Sequence, residues 1–117
     1  KLNALVHPAA IAAGSQWLQQ QQTPYAVKEA ALLFEAGSTQ GLAYIVGVTA
    51  PLAVRMQRVM QRDGVTKAEF YSRAERQIDE AIKMKLCNFV IINNNITALV
   101  PQVLALHEQL LRMAVQV

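Results

Sequence analysis

Apolar residues recur at helical spacing between residues 52 and 62. Leu52, Met56, Val59 and Met60 share one face, and Arg55, Arg58 and Arg62 line an adjacent one, the pattern of an amphipathic helix. Asp63-Gly64 reads as the turn that ends it. Thr66-Lys67-Ala68-Glu69 then has capping-box spacing, which starts a second helix with its first amides satisfied. That helix carries Arg73, Arg76 and Gln77, and a short third one spans 79–86. Two other runs have a different character. Leu42 to Thr49 and Phe89 to Ile92 are short, apolar and rich in β-branched residues, bounded by Gly41 and Pro51 in one case and followed by Asn93-Asn94-Asn95 in the other; both predict strands. Tyr25 to Leu33 reads as a further strand, although Lys28-Glu29 set two charges in its middle, and Phe34 to Ser38 reads as the loop that leaves it.

The ends of the chain are helical in pattern. His7-Pro8 predicts a helix start, since proline at the first helical position loses no needed hydrogen bond. That helix runs through Trp17 and Leu18 into Gln19–Gln22 and stops at Thr23-Pro24, because a residue before proline is pushed out of helical space. The final helix has Thr97 as its expected cap, Pro101 in its tolerant first turn, and Leu99, Val103, Leu106 and Leu110 as its expected core stripe. Strands alternating with helices predict an α/β fold with a mostly parallel sheet. No internal repeat or linker interrupts the chain. One domain or part of one is expected over 1–117: a first helix (1–24), strands (25–51), a helix and lid (52–87), and a last strand and helix (88–117).

Composition narrows the class. Of 117 residues, 53% are hydrophobic and 16% charged, which argues against disorder. No apolar run approaches the ~20 residues of a membrane span, so no membrane partner is expected. A single cysteine, Cys87, excludes an internal disulfide and fits a reducing, cytoplasmic setting; it reads as a small apolar side chain. His7 and His107 lie far apart and Cys87 has no cysteine or histidine near it, so no metal-ligand cluster is predicted; His107 reads as a partly exposed helix residue. Eleven basic against eight acidic residues give a net charge of +3. Most of the arginines fall between Arg55 and Arg76, which fits a phosphate-bearing small ligand better than nucleic acid.

Two features point to chemistry. Glu35 closes Leu32-Leu33-Phe34 at the carboxyl end of an expected strand, the end at which open α/β sheets bind ligands; a solvated loop carboxylate is the alternative. Arg58, Arg62, Arg73, Arg76 and Gln77 straddle a helix-helix turn. Arginine suits multi-bond contact with phosphate oxygens, and a solvated basic face is the alternative. The sequence holds no GxxxxGK[ST] segment, although phosphoryl transfer needs amides and a lysine around the phosphates together with a metal site.

Taken in order, LNALVHP (2–8), TPYAVKEAALLFEAGS (23–38), RMQRVMQRDGVTKAEFYSRAERQ (55–77), NFVIINN (88–94) and VLALHEQLL (103–111) resemble the C-terminal part of dephospho-coenzyme A kinases. The resemblance implies an incomplete P-loop kinase-type three-layer fold with a helical lid. It also implies ATP-dependent phosphorylation of the ribose 3′-hydroxyl of dephospho-coenzyme A, with ATP and Mg2+ as cofactors of the intact enzyme. His7, Pro8, Leu33, Phe34 and Glu35 would then line the acceptor side. Arg58, Arg62, Arg73 and Gln77 would belong to the ATP-side lid, and Asn93 to the loop beside adenine. The family's P-loop and early aspartate have no match here, so no catalytic residue is expected within the chain, which alone should be inactive. A missing N-terminal segment or a swapped partner chain is expected to complete the sheet. The sequence departs from the resemblance at Ala31, Asn88 and Asn95, where the family often has proline, aspartate and glycine. Another small-molecule nucleotide kinase, or a non-catalytic ligand-binding or interaction module of the same ancestry, are the competing readings.

Overall fold

The computed structural model describes residues 2–37 and 39–115, leaving out the side chains at 2–5 and 7. Its elements are α1 (Leu2–Gln19), β1 (Val46–Thr49), α2 (Leu52–Asp63), α3 (Lys67–Ala74), α4 (Glu80–Leu86), β2 (Phe89–Ile92) and α5 (Leu99–Val115). They fall into two units, Ala43–Leu104 and Lys1–Leu42 with Ala105–Val117.

The unit Ala43–Leu104 holds the sheet. β1 and β2 run parallel, Val46 opposite Phe89 and Thr49 opposite Ile92, joined by a helical crossover as parallel strands require. The pairing extends past both strand ends. Asn88 Oδ1 accepts the Ile45 N–H at 2.8 Å, and the Thr49 carbonyl accepts the Asn93 N–H at 2.8 Å. Asn88 thus supplies the carbonyl-type acceptor that an aspartate there would also offer. Buried Gly47 lets the helix overhead come close: a Cβ at that position would lie 2.7 Å from both Cys87 Sγ and Met84 Sδ. On the far side of β2, the Gln102 amide imitates a neighbouring strand, accepting from the Ile92 N–H at 2.8 Å and donating to the Ile92 carbonyl at 3.0 Å.

The end of α2 and the starts of α3 and α4 fall where their sequence signals say, but α3 ends at Ala74, short of the Arg76 and Gln77 expected on it. Gly64 takes a left-handed φ of 67° after α2 and returns its N–H to the Met60 carbonyl. The Thr66 hydroxyl caps α3 through the Glu69 N–H, and Asp79 caps α4 through the Ala81 N–H. Each cap satisfies an amide that the helix itself leaves open.

Several expectations need correction. Tyr25 to Leu33 is not a strand: residues 25–30 are irregular and 31–37 form turns. A strand needs a hydrogen-bonded neighbour, and among the described residues the segment has none; its Lys28-Glu29 pair also suits a solvated path. The strand expected over Leu42–Thr49 is shorter, beginning at Val46. The first helix begins before His7-Pro8, so Pro8 lies inside it; good helix formers at Leu2, Ala4 and Leu5 extend it despite the N–H that Pro8 lacks. It also ends at Gln19, one turn early, where the Gln21 side chain donates to the Trp17 carbonyl at 3.0 Å. Finally, α5 begins at Leu99, so Ala98 and not Thr97 stands at its capping position, and the Thr97 N–H, with that of Ile96, is taken by the Asn94 carboxamide oxygen. In α5, Leu106 and Leu110 are half-buried, but Leu99 and Val103 are exposed.

Ala50 and Phe70 are the buried apolar side chains among the described residues, while Val46, Val48, Val90 and Ile92 show their side chains to solvent. A two-stranded sheet of this kind is marginal by itself, and its exposed valine and isoleucine surface is the type that seeks cover. Among the described residues, no helix is long and apolar enough to cross a membrane.

Candidate functional site

In the unit formed by residues 1–42 and 105–117, a cleft of about 200 Å³ opens between α1 and the irregular segment after it. Ala10 and Ile11 line one wall, and Lys28, Glu29, Ala30, Leu32 and Ala36 line the other. Leu33, Phe34 and Glu35 are half-buried in the turn that forms this second wall. The turn is tied by the Ala36 N–H to the Leu32 carbonyl (2.9 Å) and the Gly37 N–H to the Phe34 carbonyl (3.1 Å). Pro8 is exposed on α1 and is not among the lining residues; the His7 side chain lies outside the described residues. Lys28 is the residue that sequence reading passed over. Its stem runs beside Gly14, where a Cβ would sit 3.4 Å from Lys28 Cε, and its chain lines the cleft. A lysine inside an otherwise apolar stretch was the available signal. In the same unit, the Tyr25 hydroxyl and His107 Nδ1 share a hydrogen bond that no local pattern announces.

The other unit gathers polar groups at the carboxyl ends of β1 and β2, where parallel sheets receive ligands, and at the α2–α3 corner. Three arginines on α2 leave this region in three directions. Arg55 Nε donates to the Ala50 carbonyl at 3.0 Å and lies 3.7 Å from Glu80 Oε2, which also accepts from the Thr49 hydroxyl at 3.1 Å. Arg58 reaches the loop after β2: Nη1 donates to the Asn93 carbonyl at 3.0 Å and Nη2 to Asn95 Oδ1 at 2.8 Å, with a longer approach to Asn93 Oδ1 at 3.5 Å. Arg62 makes a two-point pair with Asp63 (2.8 and 3.1 Å), and Arg73 from α3 joins the same carboxylate at 2.9 Å.

The expected lid residues are therefore brought together in part. Arg62 and Arg73 share Asp63 across the α2–α3 corner. Arg58 sits apart from them, against Asn93. Gln77 follows α3 with its N–H on the Ala74 carbonyl, and no hydrogen bond links it to Arg62 or Arg73 among the described contacts. Electrostatics follow the geometry. The Arg62 and then the Arg73 hydrogen bonds lower the Asp63 carboxyl to about 2, and Asp63 raises Arg62 in turn. Burial, then the Glu80 charge, pushes the Cys87 thiol up, and Sγ is spent on the Lys83 carbonyl at 3.3 Å; this is a packing cysteine, kept protonated rather than activated. No group of three or more His, Cys, Asp or Glu among the described residues suits a metal ion.

The chain matches the family model described as "Dephospho-CoA kinase" over residues 1–98. It belongs to the dephospho-CoA kinase family. Among its relatives, a dephospho-CoA kinase of Zymomonas mobilis is 33% identical over 88% of this chain and 53% of its own length. A dephospho-CoA kinase of Chlorobium chlorochromatii is 35% identical over 97% of this chain and 55% of its own. A crystal structure of TT1252 from Thermus thermophilus, 31% identical, superposes with a TM-score of 0.78 over 92% of this chain and 56% of that one. The chain spans about half the length of the curated relatives it matches. The expected α/β class with a parallel sheet is the class found. Within this kinase-family frame, the Arg62–Asp63–Arg73 corner and the loop held by Arg58 are polar assemblies of the unit 43–104 beside the Arg55–Glu80–Thr49 group, and the cleft belongs to the unit 1–42 with 105–117.

Proposed function

We propose that the protein carrying this chain transfers a phosphoryl group from ATP to the 3′-hydroxyl of dephospho-coenzyme A, in the last step of coenzyme A synthesis. The single observation carrying this reading is the family match over most of the chain, and the geometry agrees with it. Asp63 uses two N–H groups of Arg62 and one of Arg73, which leaves further N–H groups on both guanidinium ions. These can take phosphate oxygens, and donors fixed where charge develops stabilise the transition state most. The loop at Asn93 serves the adenine side of ATP, and Leu33, Phe34 and Glu35 serve the acceptor side beside the cleft, with His7 and Pro8 on α1. Gln77 continues the lid.

The 117 residues contain no phosphate-binding loop, so the cradle for the ATP phosphates comes from outside them. We accordingly assign no general base or phosphate cradle to this chain, and the magnesium that accompanies ATP is not allotted to its side chains. The open surface of the sheet is where a further segment, or a second chain, completes the fold. A coupled ADP-release assay with ATP and dephospho-coenzyme A, with the product's phosphate located by NMR, tests the activity. The full-length protein should form 3′-phosphorylated product, and the isolated 117 residues should form none. Failure of the full-length protein to do so overturns the proposal, and turnover by the isolated chain overturns its assignment of the cradle.

A further inference from the structure

The loop after β2 is held more tightly than a surface connection needs. Its Asn93 N–H is bonded to the Thr49 carbonyl of β1. Its Asn94 carboxamide oxygen gathers the Ile96 and Thr97 amides. Its outer side is gripped by one guanidinium, Arg58, on the Asn93 carbonyl and the Asn95 side chain at once. Asn95 has a φ of 67°, the one left-handed non-glycine residue among those described. Glycine meets that backbone requirement with less strain, so the backbone alone gives no reason for asparagine. The side chain does: its oxygen is the closest of Arg58's loop acceptors, at 2.8 Å.

We propose that Arg58 and Asn95 form a positioning pair that presets the 93–97 loop for the nucleotide, so that this chain binds ATP to a loop already in its working shape. This deepens the reading above and rests on it, because it takes the loop to face the nucleotide. Arg58 then acts through the loop, with its donors turned to protein rather than to phosphate. Two acceptors two residues apart need a planar fork with separate donors, which arginine has and a single ammonium lacks. Binding to a preset loop avoids the ordering cost that a free loop charges to the ligand.

The test uses the full-length protein. N95G keeps the left-handed backbone and deletes the acceptor, while N95D restores an acceptor for Arg58. The pair predicts that N95G raises the KM for ATP roughly three- to tenfold, the size of losing one ordinary net hydrogen bond, since the pair acts on ATP only through the loop. The KM for dephospho-coenzyme A and kcat should stay within about twofold, since only ground-state binding of one substrate is touched. N95D should return the ATP KM to near its original value, and R58K should behave like N95G. A merely structural loop contact would lower thermal stability without separating the two substrates. An unchanged ATP KM in N95G, or N95D failing to differ from N95G, overturns the pair while leaving the kinase reading intact. A parent protein that does not use ATP overturns that reading and the pair with it.

Discussion

Replacing Gly47 by alanine sets two effects of opposite sign against each other. Glycine within a strand costs roughly 0.5–1 kcal/mol relative to alanine through backbone entropy, so an unopposed methyl would stabilise. Here the new Cβ would sit 2.7 Å from Cys87 Sγ, 2.7 Å from Met84 Sδ and 2.9 Å from Met84 Cε, well inside van der Waals contact. Met84 can swing its thioether aside at little cost. Cys87 has one short side chain, anchored on the Lys83 carbonyl, and can yield only if α4 shifts. Overpacking of this kind costs about 1–3 kcal/mol, which outweighs the entropy gain. G47A should therefore lose a net ~0.5–2 kcal/mol, a fall in melting temperature of about 2–10 °C for a domain of this size. Thermal unfolding followed by circular dichroism reads it. The double variant G47A/C87A should recover more than half of the loss, with a coupling in a double-mutant cycle that distant sites would not show. If G47A melts at or above the parent temperature, or the cycle shows no coupling, the close approach of α4 to β1 is not what glycine serves here.

The remaining expectations follow from single contacts. R62A and R73A should each lower kcat of the full-length protein by about 10–100-fold with the acceptor KM little changed, and kinetics in which only the acceptor KM moved would remove both from the lid. Q102L leaves the Ile92 N–H and carbonyl without their strand-like partner; the cost should be about 1 kcal/mol, the low end for an unpaired amide, because Ile92 is 41% exposed and water can enter, and an unchanged denaturation midpoint would contradict it. D63N should lower stability relative to the parent at neutral pH. The Asp63 carboxyl is depressed from 3.8 to about 2, so its contribution is fully present above the unfolded value and is lost as pH falls through the folded one; the gap between parent and D63N should hold above about pH 4 and close towards pH 2, and a gap that changed between pH 5 and 8 would point to another group.

What the sequence discloses depends on how local the cause is. Thr66, Asp79 and Gly64 act on amides or carbonyls within four residues of themselves, so the end of α2 and the starts of α3 and α4 are readable from spacing. β2 is readable because four consecutive apolar residues are set off by three asparagines. Tyr25 to Leu33 is misread because a short, largely apolar run does not by itself make a strand; a strand exists only where another offers a ladder, and that partner is a property of the whole fold. The core stripe of α5 is misjudged at Leu99 and Val103 for the same reason: periodicity identifies a face, and only the neighbours decide whether it is covered. Tyr25 with His107, 82 residues apart, and Gln102 folded back onto Ile92 are side-chain pairings with no periodic signature. Lys28 was visible as a charge out of place, but its cleft was not.

The arginines show how far charge alone carries an argument about a site. Along the sequence Arg55, Arg58, Arg62 and Arg73 form one basic segment, equally suited to phosphate at every position. In the fold the first two are half-buried and spend donors inward, on the Ala50 carbonyl and on Asn93 and Asn95, where their removal would loosen strand ends and the loop after β2. The side chains of the last two are 72% and 53% exposed and share one carboxylate. Two guanidinium charges against one anion leave a net positive corner, and a carboxylate that binds both holds them close without cancelling them. Coulomb attraction between exposed groups is weak in water, so under the proposed function such a corner would gain its full strength only when a bound nucleotide and a closed lid exclude solvent. Under the proposed function, phosphate capture is assigned to Arg62 and Arg73 because they are the exposed pair rather than by count of charges, and its dependence on closure is why their loss should appear in kcat before it appears in binding.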